Sequence, residues 1–228
     1  MDDDLKLFIK SVDDTYQGEL DKLTLFSAEA PFLGSKPLQQ KFIKLFYHIR
    51  GHFHEFLWYL LNHAPALHWK ELILENILEE SGRDLLSHEE LYAQFAREFD
   101  VDIANEMLHQ SHYALFIREF NSSHLKWLAA HNWQHGFAAY SAYERLDNID
   151  YQRLYNLAEL MGTSEKGLTF FTVHKHVQHY ETTQQDLHNI WQTDPNAVKS
   201  AYQFIYGSQL KVWQQLACVL ESETVVVN

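Results

Sequence analysis

Three stretches of this chain set carboxylates and imidazoles at spacings from which they could share a metal ion. The first is Glu79-Glu80-Ser81-Gly82, followed by His88. Glycine suits the left-handed backbone that ends a helix, so a carboxylate there and an imidazole opening the next helix approach one point from two sides. Glu-Glu before Gly also describes an ordinary solvated helix end. The second is Glu144, which closes the run Ala138-Ala-Tyr-Ser-Ala-Tyr-Glu144. Small and aromatic residues suit an interior helix, and a buried carboxylate needs a partner. Either a metal or a cation such as Arg145 or Arg153 would serve. The third is Phe170-Phe-Thr-Val-His174-Lys-His176-Val-Gln178-His179-Tyr-Glu181. On a helix, positions 174, 178 and 181 share one face, while His176 and His179 share another. Hard carboxylates combined with imidazoles suit iron or manganese and leave positions open for dioxygen. A fourth set, His48, His52 and Glu55, has the same helical spacing but lies in an aromatic-rich helix, where it reads as pocket wall or surface.

Helical bundles build such sites from side chains on facing helices, and the periodicity here is helical throughout. Helices are expected over Leu5–Leu23, Pro37–Asn62 with a bend at Gly51, and Leu67–Glu80. Ser87 reads as an N-cap whose hydroxyl accepts a backbone N–H, with Glu90 completing a capping box for a helix to Phe99. A short helix near Ile103 follows, then His112–Phe120. Ser122-Ser123 then introduces His124–Leu146, with Tyr151–Met161 beyond it. Leu168–Trp191 reads as one long helix, and Asp194-Pro195 opens a last one to about Glu221. The expectation is therefore an all-α fold of about eight to ten helices. No Pro/Gly/Ser-rich linker interrupts residues 1–228, so a single domain is expected.

Composition narrows the function. The net charge of −13 lacks the clustered Lys and Arg that nucleic-acid binding requires. No apolar run is long enough to cross a bilayer, and the acidic N-terminus lacks a signal-peptide layout. A single Cys, Cys218, excludes a disulfide framework and a thiolate cluster, so a reducing cytoplasm is the expected compartment. The 15 His stand beside 15 Phe, 12 Tyr and 6 Trp, enough rings to line a pocket and enough imidazoles to bind metal within it.

Taken in order, Leu74-Glu-Asn-Ile-Leu-Glu-Glu-Ser-Gly82 with His88-Glu-Glu-Leu91, Ala138–Gly162 and Phe170–Glu181 resemble the haem-oxygenase-like dimetal oxidases and oxygenases. That superfamily includes CADD and is related to PqqC and TenA. The resemblance runs from about Leu38 to Leu216 and implies a haem-oxygenase-like bundle. It places Glu79, His88, Glu144 and His174 at ligand positions. Gln178 and Glu181 stand where the family's late helix has Asp and a second His, and the Glu79-to-His88 gap is two residues longer than in close relatives. Haem oxygenases carry a proximal His on the first helix, and Leu5–Leu23 has none. TenA-type thiaminases use an active-site cysteine, whereas Cys218 falls in the last helix.

The resemblance implies an O₂-activating non-haem iron oxidoreductase acting on a small, partly apolar molecule. The iron (or manganese) would be mono- or dinuclear. Two other readings follow from the same residues. One is a cofactorless PqqC-like oxidase whose histidines shuttle protons; the other is a non-catalytic binding or signalling protein with a degenerate metal site. A homodimer is the expected assembly if the chain associates.

Overall fold

The residues that carry the chemistry sit on helices joined by short turns, and the caps and glycines fix where those helices end. The computed structural model describes residues 3–83, 85–176 and 179–224. All regular structure in these residues is helical: α1 Asp3–Leu20, α2 Lys36–Gly51, α3 Phe53–His63, α4 Leu67–Glu80, α5 His88–Arg97, α6 Ile103–His109, α7 Leu115–Ala130, α8 Trp133–Leu160, α9 Glu165–His176, α10 His179–Thr193 and α11 Pro195–Thr224. Two 3₁₀ turns, Thr24–Phe26 and Pro31–Gly34, link α1 to α2. The all-α bundle is the one expected from the sequence. Among the described residues, no helix is long and apolar enough to cross a membrane.

The long helix α8 forms the spine and packs against α9, α10 and α11. Its first half, Gly136 to Tyr143, is wholly buried, and its small residues let neighbouring backbones approach. α5 lies against α9, and α3 lies against α4. Together these helices surround a core in which Phe46, Tyr92, Phe95, Phe170 and Phe171 meet edge to face or tilted. Two buried carboxylates tie α1 to the spine and to α11. Asp13 accepts from Arg145 and from the Tyr206 hydroxyl, and Asp150 accepts from the Tyr16 hydroxyl and the Trp213 indole.

Several boundaries differ from the expectation, each for a local reason. Ser122 and Ser123 do not end a helix. Their hydroxyls donate to the carbonyls of Glu119 and Phe120, so α7 continues to Ala130. The break comes at Asn132, whose side chain accepts from the His135 amide and caps α8. α8 then runs unbroken to Leu160, because its polar residues after Glu144 find partners or line an internal cavity. α9 and α10 cover the stretch expected as helix over Leu168–Trp191, and residues 177 and 178 between them lie outside the described residues. The Ser87 capping box forms as read, with the Glu90 carboxylate accepting from the Ser87 amide at 2.8 Å.

Candidate metal centre

Glu80 closes α4 and His88 opens α5. Ser81 and Gly82 make the turn between them, their amides donating to the carbonyls of Ile77 and Glu79. Gly82 adopts φ +85°, and a side chain there would run into the backbone of Leu86 and Ser87, so glycine is required. Opposite, α9 presents His174. One ligand atom each from Glu80, His88 and His174 lies within 4.8 Å of the other two. Among the described residues these three form the cluster best arranged to hold an ion. Glu80 is 8% exposed, His88 6% and His174 8%, so water competes little for them.

The protonation pattern suits a cation. The Nδ1–H of His174 donates to the Phe170 carbonyl at 2.7 Å, which leaves the Nε2 lone pair free. Burial, reinforced by the neighbouring His88, pushes the His174 imidazole down to about 3, so it is neutral at ordinary pH. Tyr151 stacks on that ring at 4.2 Å and 14°, fixing its plane. Burial pushes Glu80 up, but the imidazoles of His54, His88 and His174 outweigh it and hold the carboxyl well below the usual range. His88 Nδ1 lies 2.9 Å from Glu80 Oε1 yet is not aligned for a hydrogen bond, which leaves a buried polar atom without a partner. Neighbouring ligands of an octahedral ion at about 2.1 Å stand about 3 Å apart, so this spacing fits two atoms sharing a metal. One carboxylate and two imidazoles with open positions is the donor set of mononuclear non-haem iron.

Around this triad lie further acids. Glu144 and Asp147 on α8 border a cavity of about 10 Å³ shared with Glu80, His88, His174, His179 and Asn76. Burial pushes Glu144 up to about 8, with Glu80 and Glu79 adding repulsion against the hydrogen bond from Asn76. Burial likewise pushes Asp147 well up, and Glu144, Asp150 and Glu80 add to it against the guanidinium of Arg50. Asp147 is deeply surrounded yet keeps some accessible surface, because it borders the cavity. A second cavity of about 40 Å³ adjoins the first, walled by Phe46, Phe53, Tyr143, Tyr151 and Trp213. Outside His88, a larger open cleft of about 580 Å³ is lined by Leu85, Leu86, Leu91, Thr169 and Val173.

Of the residues singled out in the sequence, His88 and His174 meet, and Glu144 borders the same cavity. Glu79 does not join them. Its side chain is 45% exposed and its carboxylate lies 2.9 Å from His179 Nε2, while Glu80 takes the inward position. The reason is helical phase: the buried face of α4 runs through Ile73, Asn76, Ile77 and Glu80. Glu181 is exposed, whereas His179 borders the cavity. Gln178 and the side chain of His176 lie outside the described residues. Arg145 and Arg153 pair with Asp13 and Asp21, leaving Glu144 to Asn76. His48 binds Glu106 and His52 binds the Ile49 carbonyl; both line a separate cavity, and Glu55 is exposed.

Sequence reasoning passed over Asn76, Asp147 and His54. The first two were within its reach, since Asn76 is one turn before Glu80 and Asp147 is three residues after Glu144. His54, 3.4 Å from Glu80, had no such signal.

Residues 40–198 match a family model described as iron-containing redox enzyme. Among curated proteins none matches the chain.

Proposed function

Because the chain belongs to the iron-containing redox enzyme family, we propose that it is an O₂-dependent oxidoreductase whose iron is held by Glu80, His88 and His174. The observation that carries this is the buried convergence of one carboxylate and two imidazoles, with His174 locked in the tautomer that offers Nε2. When bound, iron would supply one-electron redox chemistry and a place for dioxygen. The rest falls to the protein. Glu80 provides the compensating charge, and His54 holds its second oxygen from the far side. Tyr151 and the Phe170 carbonyl hold the His174 ring in position. Aromatic walls keep the 40 Å³ inner cavity narrow, with room for only a few water-sized molecules.

The substrate on this reading is small and partly apolar, bound in the leucine-lined cleft against the outer side of His88. Glu79, Arg83 and Thr169 supply the cleft's polar contacts, and Arg83 is paired with Glu75.

The test is anaerobic reconstitution with Fe²⁺, followed by metal analysis of four single-alanine variants. Glu80→Ala, His88→Ala and His174→Ala should lose tightly held iron, whereas Glu79→Ala should retain it. Iron retained by Glu80→Ala and lost by Glu79→Ala would overturn the assignment. A wild-type protein that holds no metal, yet turns over substrate in the presence of chelators, would point to a cofactorless oxidase.

A further inference from the structure

The corner between α7 and α8 brings together two histidines that the proposed reaction does not use. His131 follows the last turn of α7, and His135 lies in the first turn of α8. Neither lines the cavities around the triad. Their ring centres are 4.9 Å apart, with the planes inclined at 37°. Two imidazoles bound to one tetrahedral ion through bonds of about 2.0–2.1 Å have ring centres about 5 Å apart.

Both rings offer the same atom. The Nδ1–H of His131 donates to the Trp127 carbonyl at 2.7 Å, and the Nδ1–H of His135 donates to Asn132 Oδ1 at 2.8 Å. Each acceptor is a carbonyl oxygen, so Nδ1 carries the proton and Nε2 keeps its lone pair. Proteins orient imidazoles toward metals by fixing the far nitrogen in this way. Burial, with His131 beside it, pushes His135 below its ordinary value, while Asp194, just ahead of α11, brings a negative charge to bear on the ring. An exposed imidazole loses rotamer freedom when it binds a metal, and here part of that freedom is already gone. His131 stacks on Trp127 at 4.1 Å and 24°, and Trp127 stacks in turn on Phe204 of α11 at 4.8 Å and 6°. The half-buried indole thus fixes an exposed ring, and such preorganisation raises affinity without adding contacts.

We propose that His131 and His135 form a surface site for a borderline divalent transition ion, of the Zn²⁺ or Cu²⁺ type, held by their two Nε2 atoms. Paired imidazoles suit these ions, whereas Mg²⁺ and Ca²⁺ take oxygen ligands. The ion would tie the end of α7 to the start of α8 across the turn at Asn132. The site is independent of the buried triad and of the iron reading.

The probe is Cu²⁺, which binds imidazole most strongly among these divalent ions, titrated at pH 7.5 and followed by tryptophan emission. An ion beside His131 lies close to the Trp127 indole and should quench it saturably. Neither histidine is buried, so His131→Gln and His135→Gln should both fold. Each should weaken the titration at least as much as loss of an outer-shell partner does, about tenfold to a hundredfold. Trp127→Phe should remove the saturable quenching, whereas His174→Ala, which breaks the buried triad, should keep it. Zn²⁺ should also raise the melting temperature of His174→Ala, but not of the same variant carrying His131→Gln. Unchanged quenching in His131→Gln, or quenching lost in His174→Ala, would overturn the site. So would an equal loss from His109→Gln, an exposed histidine on α6, since any surface imidazole would then account for the binding.

Discussion

Acid should loosen this protein through His124, and replacing that residue with phenylalanine should remove much of the sensitivity. His124 is fully buried in α7, its Nδ1–H donates to the Phe120 carbonyl at 2.8 Å, and its Nε2 has no partner. Phe56, Phe120, Phe204, Tyr143 and His52 surround the ring. Burial in that aromatic cage pushes the imidazole down to about 4. In the unfolded chain it titrates near 6.5, so between these values the unfolded state binds a proton that the folded state refuses. The stabilisation is therefore complete above about pH 6.5 and is lost as the pH falls toward 4. At pH 5 the loss is about 2 kcal/mol, since nearly all unfolded chains and about a tenth of folded ones carry the proton. His124→Phe preserves ring volume and removes the partnerless Nε2, so at pH 7.5 it should lie within about 1 kcal/mol of wild type. Urea unfolding followed by circular dichroism at pH 7.5, 6.0 and 5.0 gives the gap between the two proteins. Other titrating groups are common to both and largely cancel in the difference. The gap should move about 2 kcal/mol in favour of the variant between pH 7.5 and 5. A gap that does not change with pH would refute the reasoning.

Two further perturbations probe the frame around the centre. Gly82→Ala forces a side chain into φ +85° and against the Leu86 and Ser87 backbone, so it should cost at least about 1–2 kcal/mol and weaken iron binding by displacing His88. Gly207→Ala on α11, where nothing lies within 4 Å, is the control and should melt no lower than wild type; equal iron affinity in both variants would argue against the turn as a positioning device. Asp13→Ala leaves Arg145 and the Tyr206 hydroxyl without their shared carboxylate, so denaturant titration should show a loss of about 2–3 kcal/mol. Because Arg145 is 38% exposed, the double variant Asp13→Ala/Arg145→Ala should recover part of that loss, and no recovery would mean the pair is not the cause.

The sequence made the helices, their caps and two of the three converging side chains legible, because these follow from local chemistry. Ser87 and Glu90 form their box, Gly82 takes the left-handed turn, and His88 and His174 meet across the core. What went unread depends on phase and on neighbours. Choosing between Glu79 and Glu80 required following the buried stripe Ile73, Asn76, Ile77 to its end, one residue past the position the family pattern indicated. Extending one helical face from His174 to Glu181 left out what packs around it: Glu181 is exposed, and His179 borders the cavity. His54 reaches Glu80 only through the packing of α3 on α4, which no spacing within α3 announces.

His88 stands in a wall, with the inner cavity on one side of its ring and the leucine-lined cleft on the other. The converging ligands sit on helices, whereas Gly82, Arg83, Leu85 and Leu86 of the cleft belong to the short connection between α4 and α5. The two tasks are thus encoded in separable stretches of chain. Gly82 fixes the turn and Ser87 caps α5, but Arg83, Leu85 and Leu86 can change without moving Glu80, His88 or His174. A lineage could therefore alter what this protein accepts by drift in a handful of surface codons, while selection on the buried centre stays unchanged.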